Sequence, residues 1–366
     1  MRKYVDLPLH GGKAPYWLVK RMKGLAAEIF RIMVTDFGTE ETLKRIADPY
    51  WFQALSCVLG FDWHSSGTTT VTCGVLNDIL STQLGMQAAG GKGKGKRTLQ
   101  EIREKSESLG LSENKMKVIR YASRMTAKVD SSCIQDFYPI YHHMIFFDEK
   151  GNWSVVQQGM NTKKGFARRY QWDATADFID EPQNKVSGVR EKDVLNLVDK
   201  KSEEARKMDL DLVRSDIRRV KSYIQRLSVS KNQETLDPWA GEKQDRYTTL
   251  DPLYTLPKRV NWPALKRAYE YNPSGFEELL SLKGIGGATL RGLTMVSELI
   301  YGEEPSWKDP VRYSFAYGGK DGVPYPVNRK AMDSSIEFLR TVMDNVEGKD
   351  KKKALKRLKG FGVRKK

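Results

Sequence analysis

Hydrophobic residues recur every three or four positions through much of the chain, a spacing that places them on one face of a helix. The clearest such patterns cover residues 17–36, 40–59, 99–109, 113–128 and 213–227. The last of these lies in a highly charged segment, where a single apolar stripe runs from Val213 to Leu227. An amphipathic helix buries such a stripe against a neighbouring element. The pattern therefore predicts a mainly helical protein.

Residues 136–188 follow a different pattern. Two segments rich in β-branched and aromatic residues, 141–147 and 153–158, flank the polar loop 148–152, and this favours a β-hairpin. Residues 166–172 are a candidate third strand. By contrast, the run at 87–96 is so rich in glycine that we expect no regular structure there, although it carries three lysines.

The balance of charge favours a polyanionic partner. The chain of 366 residues carries 62 Lys and Arg against 46 Asp and Glu, a formal net charge of +16. Such a surface attracts nucleic acid, and added salt should weaken the attraction. Charge alone does not distinguish DNA from RNA. Because 39% of the residues are hydrophobic and 10% are aromatic, we expect a folded protein rather than a disordered basic tail.

The cysteines and the apolar runs exclude several classes of protein. Cys57, Cys73 and Cys133 are scattered, with no Cys-x-x-Cys pair, which argues against a disulfide scaffold or a zinc ribbon. No apolar run reaches the roughly 18 residues that a membrane span needs, and the N-terminus lacks the apolar core of a signal peptide. We therefore expect a cytoplasmic protein with no membrane partner, and no motif indicates a cofactor.

The most informative stretch is Leu282-Lys283-Gly284-Ile285-Gly286-Gly287, which lies between the amphipathic segments 274–281 and 288–301. Glycines around one aliphatic residue form a tight turn whose backbone can approach another surface closely. Ile285 should point inward and hold the two helices together, while free N–H groups at the start of the second helix suit a phosphate. The stretch resembles the helix-hairpin-helix motif, which implies DNA binding through backbone phosphates. A plain glycine-rich turn between two packed helices is the alternative.

These patterns together predict an α+β fold that is mainly α, with helical domains, a small antiparallel β-element and a C-terminal helix-hairpin-helix unit. The expected units are a helical N-terminal domain at 1–135, the β-hairpin element at 136–188, a charged helical segment and linker at 189–260, the helix-hairpin-helix domain at 261–346 and a basic tail at 347–366. From Lys349 onward the tail holds ten basic residues against one Asp. The ordinary interpretation of such a run is a solvated stretch of charge.

A second group of cations lies outside the glycine turn. Its members are Lys13, Lys163, Lys164, Arg168 and Arg169. The last four follow two glutamines and lie among aromatic residues, a combination that suits a groove binding phosphates and stacking bases. Alternate residues of a strand face opposite sides, so half of this set would point away from the groove. An ordinary polar strand surface is the alternative.

Several longer motifs lie along the chain: Leu7–Pro15, Trp63–Thr68, Tyr141–Met144, Gln157–Met160, Ala167–Tyr170 and Ser314–Gly322. Together they resemble a prokaryotic family catalogued as domain of unknown function 763, over nearly the whole chain. One stretch departs from the family pattern, because residues 180–184 lack the histidine expected beside Pro182. The resemblance implies a cytoplasmic, DNA-related setting and no specific activity.

Candidate catalytic residues are His64, His142 and Asp309. His64 lies in a turn with two serine hydroxyls. His142 and His143 are adjacent, so on a strand they face opposite sides and only one of them can join a given site. A metal site built from His and Asp has no diagnostic spacing here, so no metal ligand is assigned.

Asp309 is a candidate through resemblance alone. It lies after the second hairpin helix, roughly where helix-hairpin-helix glycosylases carry a catalytic Asp. The lyase-type members carry a Lys four residues after the first hairpin glycine, and this chain has Ala288 there. Asp309 also precedes Pro310, which restricts the local backbone.

The function that these features favour is sequence-independent DNA binding through phosphates, in repair, recombination or chromosome maintenance. Two alternatives stay open. One is a DNA-processing enzyme, either a metal-dependent nuclease or a glycosylase, and the other is an RNA- or ribosome-associated factor. The sequence does not distinguish single-stranded from double-stranded DNA.

Overall fold

The computed structural model describes residues 7–9, 14–61, 65–93, 97–180, 185–229, 256–257, 259–313 and 330. Lys13, His64, residues 331–346 and the basic tail fall outside the described residues.

The described helices are α1 (Tyr16–Ile46), α2 (Pro49–Val58), α3 (Ser66–Ile79), α4 (Thr98–Ser108), α5 (Glu113–Lys128), α6 (Glu203–Arg214), α7 (Ile217–Val229), α8 (Trp262–Tyr271), α9 (Phe276–Ser281) and α10 (Gly287–Tyr301). The strands are β1 (Leu7–Pro8), β2 (Met86–Lys92), β3 (Ile134–Gln135), β4 (Ile140–Asp148), β5 (Trp153–Asn161), β6 (Phe166–Asp173), β7 (Val186–Ser187) and β8 (Leu195–Asn196). The protein is therefore α+β, as predicted.

Local chemistry explains where the first helices break. The chain leaves helical geometry within α1 at Gly38, whose φ of 79° favours glycine. The helix expected over 40–59 is interrupted before α2, because Asp48 caps the new helix by accepting a hydrogen bond from Trp51 N at 2.7 Å. Pro49 follows as its first residue, a position where proline costs no helical hydrogen bond.

An antiparallel sheet lies at the centre of the described structure, with strand order β1-β6-β5-β4-β2 and with β7 paired to β6. Its two faces carry separate cores. Met144, Phe146 and Val156 pack with residues of α1, α2 and α3. Ile145, Phe147 and Val155 face the other way and join a core that continues through α5, α6, α8, α9 and α10. Burial on both faces explains why β4 reads as an apolar run rather than as an alternating pattern.

The glycine-rich run at 87–96 was expected to hold no regular structure, and this expectation is wrong for its first half. Residues 86–92 form β2, an edge strand paired with β4. Gly90 has a φ of 109°, and a Cβ there would lie 2.3 Å from the carbonyl oxygen of His143. The glycine therefore allows a close approach between strands that any side chain would prevent.

The sheet joins segments that the sequence assigned to separate units. β1 and β2 come from residues 1–135 and pair with β6 and β4 of residues 136–188. Short-range patterns do not show which strands pair, and the expected boundary at 135 falls between strands of one sheet.

Candidate nucleic-acid interface

The glycine turn, residues 282–286, joins α9 to α10 and packs against α8. Gly284 has a φ of 92°, and a Cβ there would lie 2.9 Å from that of Ala264 in α8. Asn261 Nδ2 also donates a hydrogen bond to Gly284 O at 3.2 Å. Ile285 is only 2% exposed, so it is buried as expected of the residue that holds the two helices together. Glycine is required at 284 by both the backbone angle and the neighbouring helix.

α10 begins at Gly287 with no side-chain cap. Gly286 precedes it in an extended conformation, and its carbonyl accepts the first helical hydrogen bond from Leu290 N at 3.0 Å. A glycine at this position offers no side-chain oxygen to the first N–H groups, which carry the positive end of the helix dipole. A Cβ at Gly286 would have its nearest neighbour, Ser132 Oγ, at 4.0 Å. A larger side chain at position 286 would therefore find room.

A cavity of about 540 Å³ lies beside the start of α10. Its wall includes Gly287, Ala288 and Arg291 of α10, together with Gln135. Gln135 Nε2 donates to Gly287 O at 2.9 Å, and Arg291 Nη1 donates to Gln135 Oε1 at 3.3 Å. The arrangement places the Arg291 guanidinium next to an uncapped helix end, and both of these features favour an anion. The two N–H donors of the Gln135 amide are used within the protein, by Ser132 O and Gly287 O.

A second cavity, of about 530 Å³, lies between α5 and β4. It shares Ser131 and Pro139 with the first cavity, and Arg124 and Lys128 contribute two cations to its wall. The residues between the two cavities form a π-helical turn, Val129–Cys133, which continues α5. Such wider turns often occur at functional sites. We call the two adjoining cavities the interface groove.

Two acids also line the first cavity, and both are buried and hydrogen-bonded. Asp130 accepts from Trp172 Nε1 at 2.8 Å, and Asp136 pairs with Arg168 at 2.7 Å. Burial raises the pKa of Asp136, while the Arg168 charge opposes that rise. The Arg168 guanidinium compensates the charge of Asp136, whereas the Asp130 carboxylate is held by neutral N–H donors of Trp172 and Gln157.

Lys128, the last residue of α5, holds the glycine turn from the side of the groove. Its ammonium donates to the carbonyl oxygens of Leu280, Leu282 and Ile285, the latter two at 2.5 and 3.2 Å. Burial lowers the pKa of Lys128 to about 8, and repulsion from Arg124 acts in the same direction. No local sequence signal links position 128 to residues 280–285, so the sequence analysis missed this contact.

Exposed cations lie on the outer side of the turn. Lys283 and Arg267 are both exposed, and Arg267 Nη2 donates to the Lys283 carbonyl at 3.2 Å. Lys163 and Lys164 are exposed on the turn between β5 and β6. Lys164 pairs with Glu191, which also accepts a hydrogen bond from Tyr138 in the wall of the first cavity.

The structure corrects the assignment of Arg168 and Arg169 to a nucleic-acid groove. Both side chains are fully buried. Arg168 forms ion pairs of 2.7 Å with Asp136 and Asp309. Arg169 points to the opposite face of β6, where Nε donates to Thr69 Oγ1 at 2.9 Å. Because the sheet is covered on both faces, neither the Arg168 nor the Arg169 side chain reaches solvent.

Asp309 is also buried and has a structural role. It is 4% exposed, and its carboxylate accepts from Arg168, from Glu191 N at 2.5 Å and from Val311 N at 2.9 Å. The aspartate therefore fixes the chain after α10 against β6. A carboxylate held by three donors in the interior does not match the catalytic role suggested for this position.

The two histidines of β4 face opposite sides of the sheet, as predicted. His142 shares its face with Met144 and is 1% exposed, and among the described residues neither of its ring nitrogens has a hydrogen-bond partner. Burial, together with the nearby cationic groups, lowers the pKa of His142 to about 3. The imidazole is therefore neutral at physiological pH.

His143 takes part in a defined hydrogen-bonded chain on the other face. Ser123 Oγ lies 2.8 Å from His143 Nε2, and His143 Nδ1 lies 2.7 Å from Gln157 Oε1. Gln157 Nε2 donates in turn to Asp130 Oδ2 at 2.6 Å. Since an ionised carboxylate only accepts, the amide oxygen of Gln157 must face His143 and accept from Nδ1–H. His143 Nε2 then has a free lone pair for the hydroxyl proton of Ser123.

Residues 3–327 match the family described as "Protein of unknown function (DUF763)". The chain belongs to this family. No curated protein and no solved structure matched it. In the part of the chain that the structure describes, no helix combines the length and the apolar character needed to cross a membrane. The same part contains no group of three or more His, Cys, Asp or Glu residues arranged to hold a metal ion.

Proposed function

We propose that this member of the DUF763 family binds nucleic acid without sequence preference, by holding phosphates at the start of α10 and along the interface groove. The observation that carries the proposal is the uncapped helix end at Gly286 and Gly287, which opens onto a cavity containing Arg291. Free backbone amides at a helix start favour an anion, and the dipole adds to this preference.

The same donors indicate why binding should not depend on sequence. Backbone N–H groups and cations that contact phosphates fix the position of a nucleic acid but do not read its bases. The groove cations, Arg124, Lys128 and Arg291, lie on the same side as the glycine turn. The helix-hairpin-helix resemblance favours DNA as the partner, in repair, recombination or chromosome maintenance, and duplex DNA is the form used in the tests below. Preferential binding of RNA would support the RNA-associated alternative instead.

Gly286→Val tests the helix end. Valine adopts the extended backbone of Gly286 without strain, and its Cβ has room, but its methyl groups would cover the first amides of α10. We expect duplex affinity to fall at least tenfold, which corresponds to about 1.4 kcal/mol, while the thermal midpoint stays near that of the parent protein. Fluorescence anisotropy with a labelled random duplex measures the affinity.

Gly275→Val is the matched control. Gly275 is also the extended glycine before a helix, it has no side-chain cap, and no atom lies within 4 Å of its Cβ position. It precedes α9, whose first turn carries Glu277 and Glu278 and so disfavours phosphate. Equal affinities for the two variants, both with native stability, would refute a phosphate site at α10.

A second candidate function, ester hydrolysis by a serine nucleophile, is favoured by the Ser123–His143–Gln157–Asp130 chain. A serine is activated when a neighbouring base accepts its proton and a third group orients that base. Here Gln157 orients His143, and burial lowers the pKa of His143, so the imidazole is the neutral base. Ser123 lines the interface groove beside Arg124 and Lys128, and these cations favour an ester that bears negative charge.

A further inference from the structure

Phe137 combines an exposed ring with an unusual backbone. The side chain is 68% exposed, and the residue has a φ of 65°, in the left-handed region. Within the described part of the chain, the other residues besides glycine in this region are Asp193 and Asn272. Asp and Asn enter it readily, whereas a bulky aromatic residue there is a genuine outlier. Such strain persists where the surrounding structure imposes it, and it occurs often at functional sites.

The buried neighbours of Phe137 impose this conformation. Asp136 accepts a hydrogen bond from Tyr138 N at 3.0 Å and is also paired with Arg168. The Arg168 guanidinium lies over the Tyr138 ring, with its central carbon 4.7 Å from the ring centroid. Both neighbours are therefore fixed in the interior, while the left-handed backbone between them leaves the Phe137 ring at the surface.

The exposed ring lies beside the proposed phosphate site. Phe137 lines the first cavity of the interface groove, and the wall of that cavity also contains Gly287 and Arg291 of α10. A phosphate at this helix end would place its nucleotide next to the cavity wall that carries Phe137. Aromatic rings beside phosphate-binding cations are typical of sites for single-stranded nucleic acid, because every base has a face on which a ring can stack.

A cationic path extends beyond the interface groove along α5. A third cavity, of about 480 Å³, adjoins the second by sharing Leu99 and Arg124, and its wall also contains Lys117 and Arg120. Cations therefore line a continuous path from α5 to the start of α10. The Arg124 guanidinium lies over the Tyr121 ring, 5.7 Å from its centroid, so aromatic rings accompany the cations at both ends of the path.

We propose that Phe137 is a base-stacking residue and that the interface groove takes single-stranded DNA, with one base against the Phe137 ring and a neighbouring phosphate at the start of α10. This assignment rests on the proposed function and specifies its substrate form. In a duplex the bases are paired and stacked on one another, so a base reaches an external ring only after it has been unstacked, which costs free energy. A single strand offers its bases without that cost.

Fluorescence anisotropy with labelled oligothymidine and with a mixed-sequence duplex of equal length tests this assignment. We expect the parent protein to bind oligothymidine more tightly than the duplex. Phe137→Ala should weaken oligothymidine binding about fivefold or more, the loss that removal of one stacking ring typically produces. Its duplex affinity should change by less than about twofold, because the phosphate contacts remain. Phe137→Trp keeps a ring at this position and should retain the affinity for oligothymidine.

Tyr16→Ala is the matched control. Tyr16 is also an exposed aromatic residue, but it begins α1, which packs on the opposite face of the sheet from α5. Its removal should leave the affinity for oligothymidine unchanged. Phe137→Gly separates binding from folding, because glycine adopts the left-handed backbone without strain. Its thermal midpoint should be equal to or above that of the parent protein, although its binding of oligothymidine is weakened.

Ultraviolet crosslinking tests the contact itself. Under irradiation, thymine forms a covalent bond with an aromatic side chain that it touches directly. We expect the oligothymidine adduct on the peptide that contains Phe137, as measured by mass spectrometry. This adduct, together with weaker oligothymidine binding by Phe137→Ala, would support the stacking role.

The contrary results are distinct from one another. Unchanged oligothymidine affinity in Phe137→Ala would overturn the assignment, and so would equal weakening of both nucleic-acid forms in a destabilised variant, since a purely structural residue would act in that way. Tighter binding of oligouridine than of oligothymidine would overturn the assignment to DNA. A parent protein that prefers the duplex, and loses it in Gly286→Val, would overturn the single-strand assignment while the phosphate site stands. A parent protein that binds neither form would refute both proposals.

Discussion

At the scale of single residues, several buried charged groups are tied to specific partners. Arg168 lies between Asp136 and Asp309, and it joins β6 to the segments before β4 and after α10. Removing one partner of a buried ion pair leaves an uncompensated charge, which typically costs about 3–5 kcal/mol. These residues stabilise the fold, and they are not available to a ligand at the surface.

Ser123 is the residue whose chemistry can be tested most directly. If His143 removes its proton, a fluorophosphonate probe should react there: the Oγ–P bond forms, the P–F bond breaks, fluoride leaves, and His143 Nε2 takes the hydroxyl proton. We expect labelling of the parent protein, measured by mass spectrometry of peptides, and loss of labelling in Ser123→Ala and His143→Ala.

Ser131→Ala serves as the control for this experiment. Ser131 is exposed in the same cavity but has no histidine partner among the described residues, so its removal should leave labelling unchanged. An unlabelled parent protein would rule out the hydrolase candidate and leave the chain of hydrogen bonds with a structural role.

At the scale of elements, α10 is anchored to α6 by one buried acid. Asp209 accepts hydrogen bonds from Thr294 Oγ1 at 2.8 Å and Ser297 Oγ at 2.6 Å, and it is fully buried. Burial raises the pKa of Asp209 to about 7, and the two hydroxyl donors only partly offset this rise. Proton binding at Asp209 is therefore coupled to the packing of the helix that begins at the proposed phosphate site.

This coupling predicts a pH dependence of stability. An unfolded Asp titrates near pH 3.9, so between about pH 4 and 7 the folded protein keeps a proton that the unfolded chain has released. The free energy of unfolding should then fall as the pH rises through this window, by up to about 1.4 kcal/mol per pH unit from this group, and level off above pH 7. Urea unfolding of the parent protein and of Asp209→Asn should diverge over that range. Parallel curves would contradict the prediction.

Much of the element-level structure could be predicted from the sequence because it depends on local pattern. The helices expected at 99–109 and 113–128 appear as α4 and α5, and the expected hairpin appears as β4 and β5. β2 could not be predicted, because a glycine-rich strand is stabilised by a partner distant in the chain. The same limit applies to the candidate site. The glycine turn can be recognised from adjacent residues, whereas Gln135 and Lys128 are distant in the chain and contact this region only in the folded protein.

At the scale of the whole molecule, the net charge of +16 does not show which cations a ligand meets, because some of them, such as Arg168 and Arg169, are buried. The charge relevant to binding is that of the exposed cations, such as Lys283 and Arg267 beside the turn, and of the groove cations Arg124, Lys128 and Arg291. The sequence indicated a basic protein but could not say which cations the interior would take up, since that depends on both faces of the sheet being covered.

Salt dependence then separates the contribution of charge from that of the helix end. A plot of log affinity against log salt for duplex DNA should fall with a slope of several units, because each neutralised phosphate contributes about 0.9. Arg291→Gln removes one groove cation, so its slope should be shallower by about 1. Gly286→Val removes no charge, so its line should lie below that of the parent protein and run parallel to it. A flat plot for the parent protein, or strong preference for one site among random duplexes, would contradict binding led by phosphates. An unchanged slope in Arg291→Gln would show that the bound phosphates lie away from the interface groove.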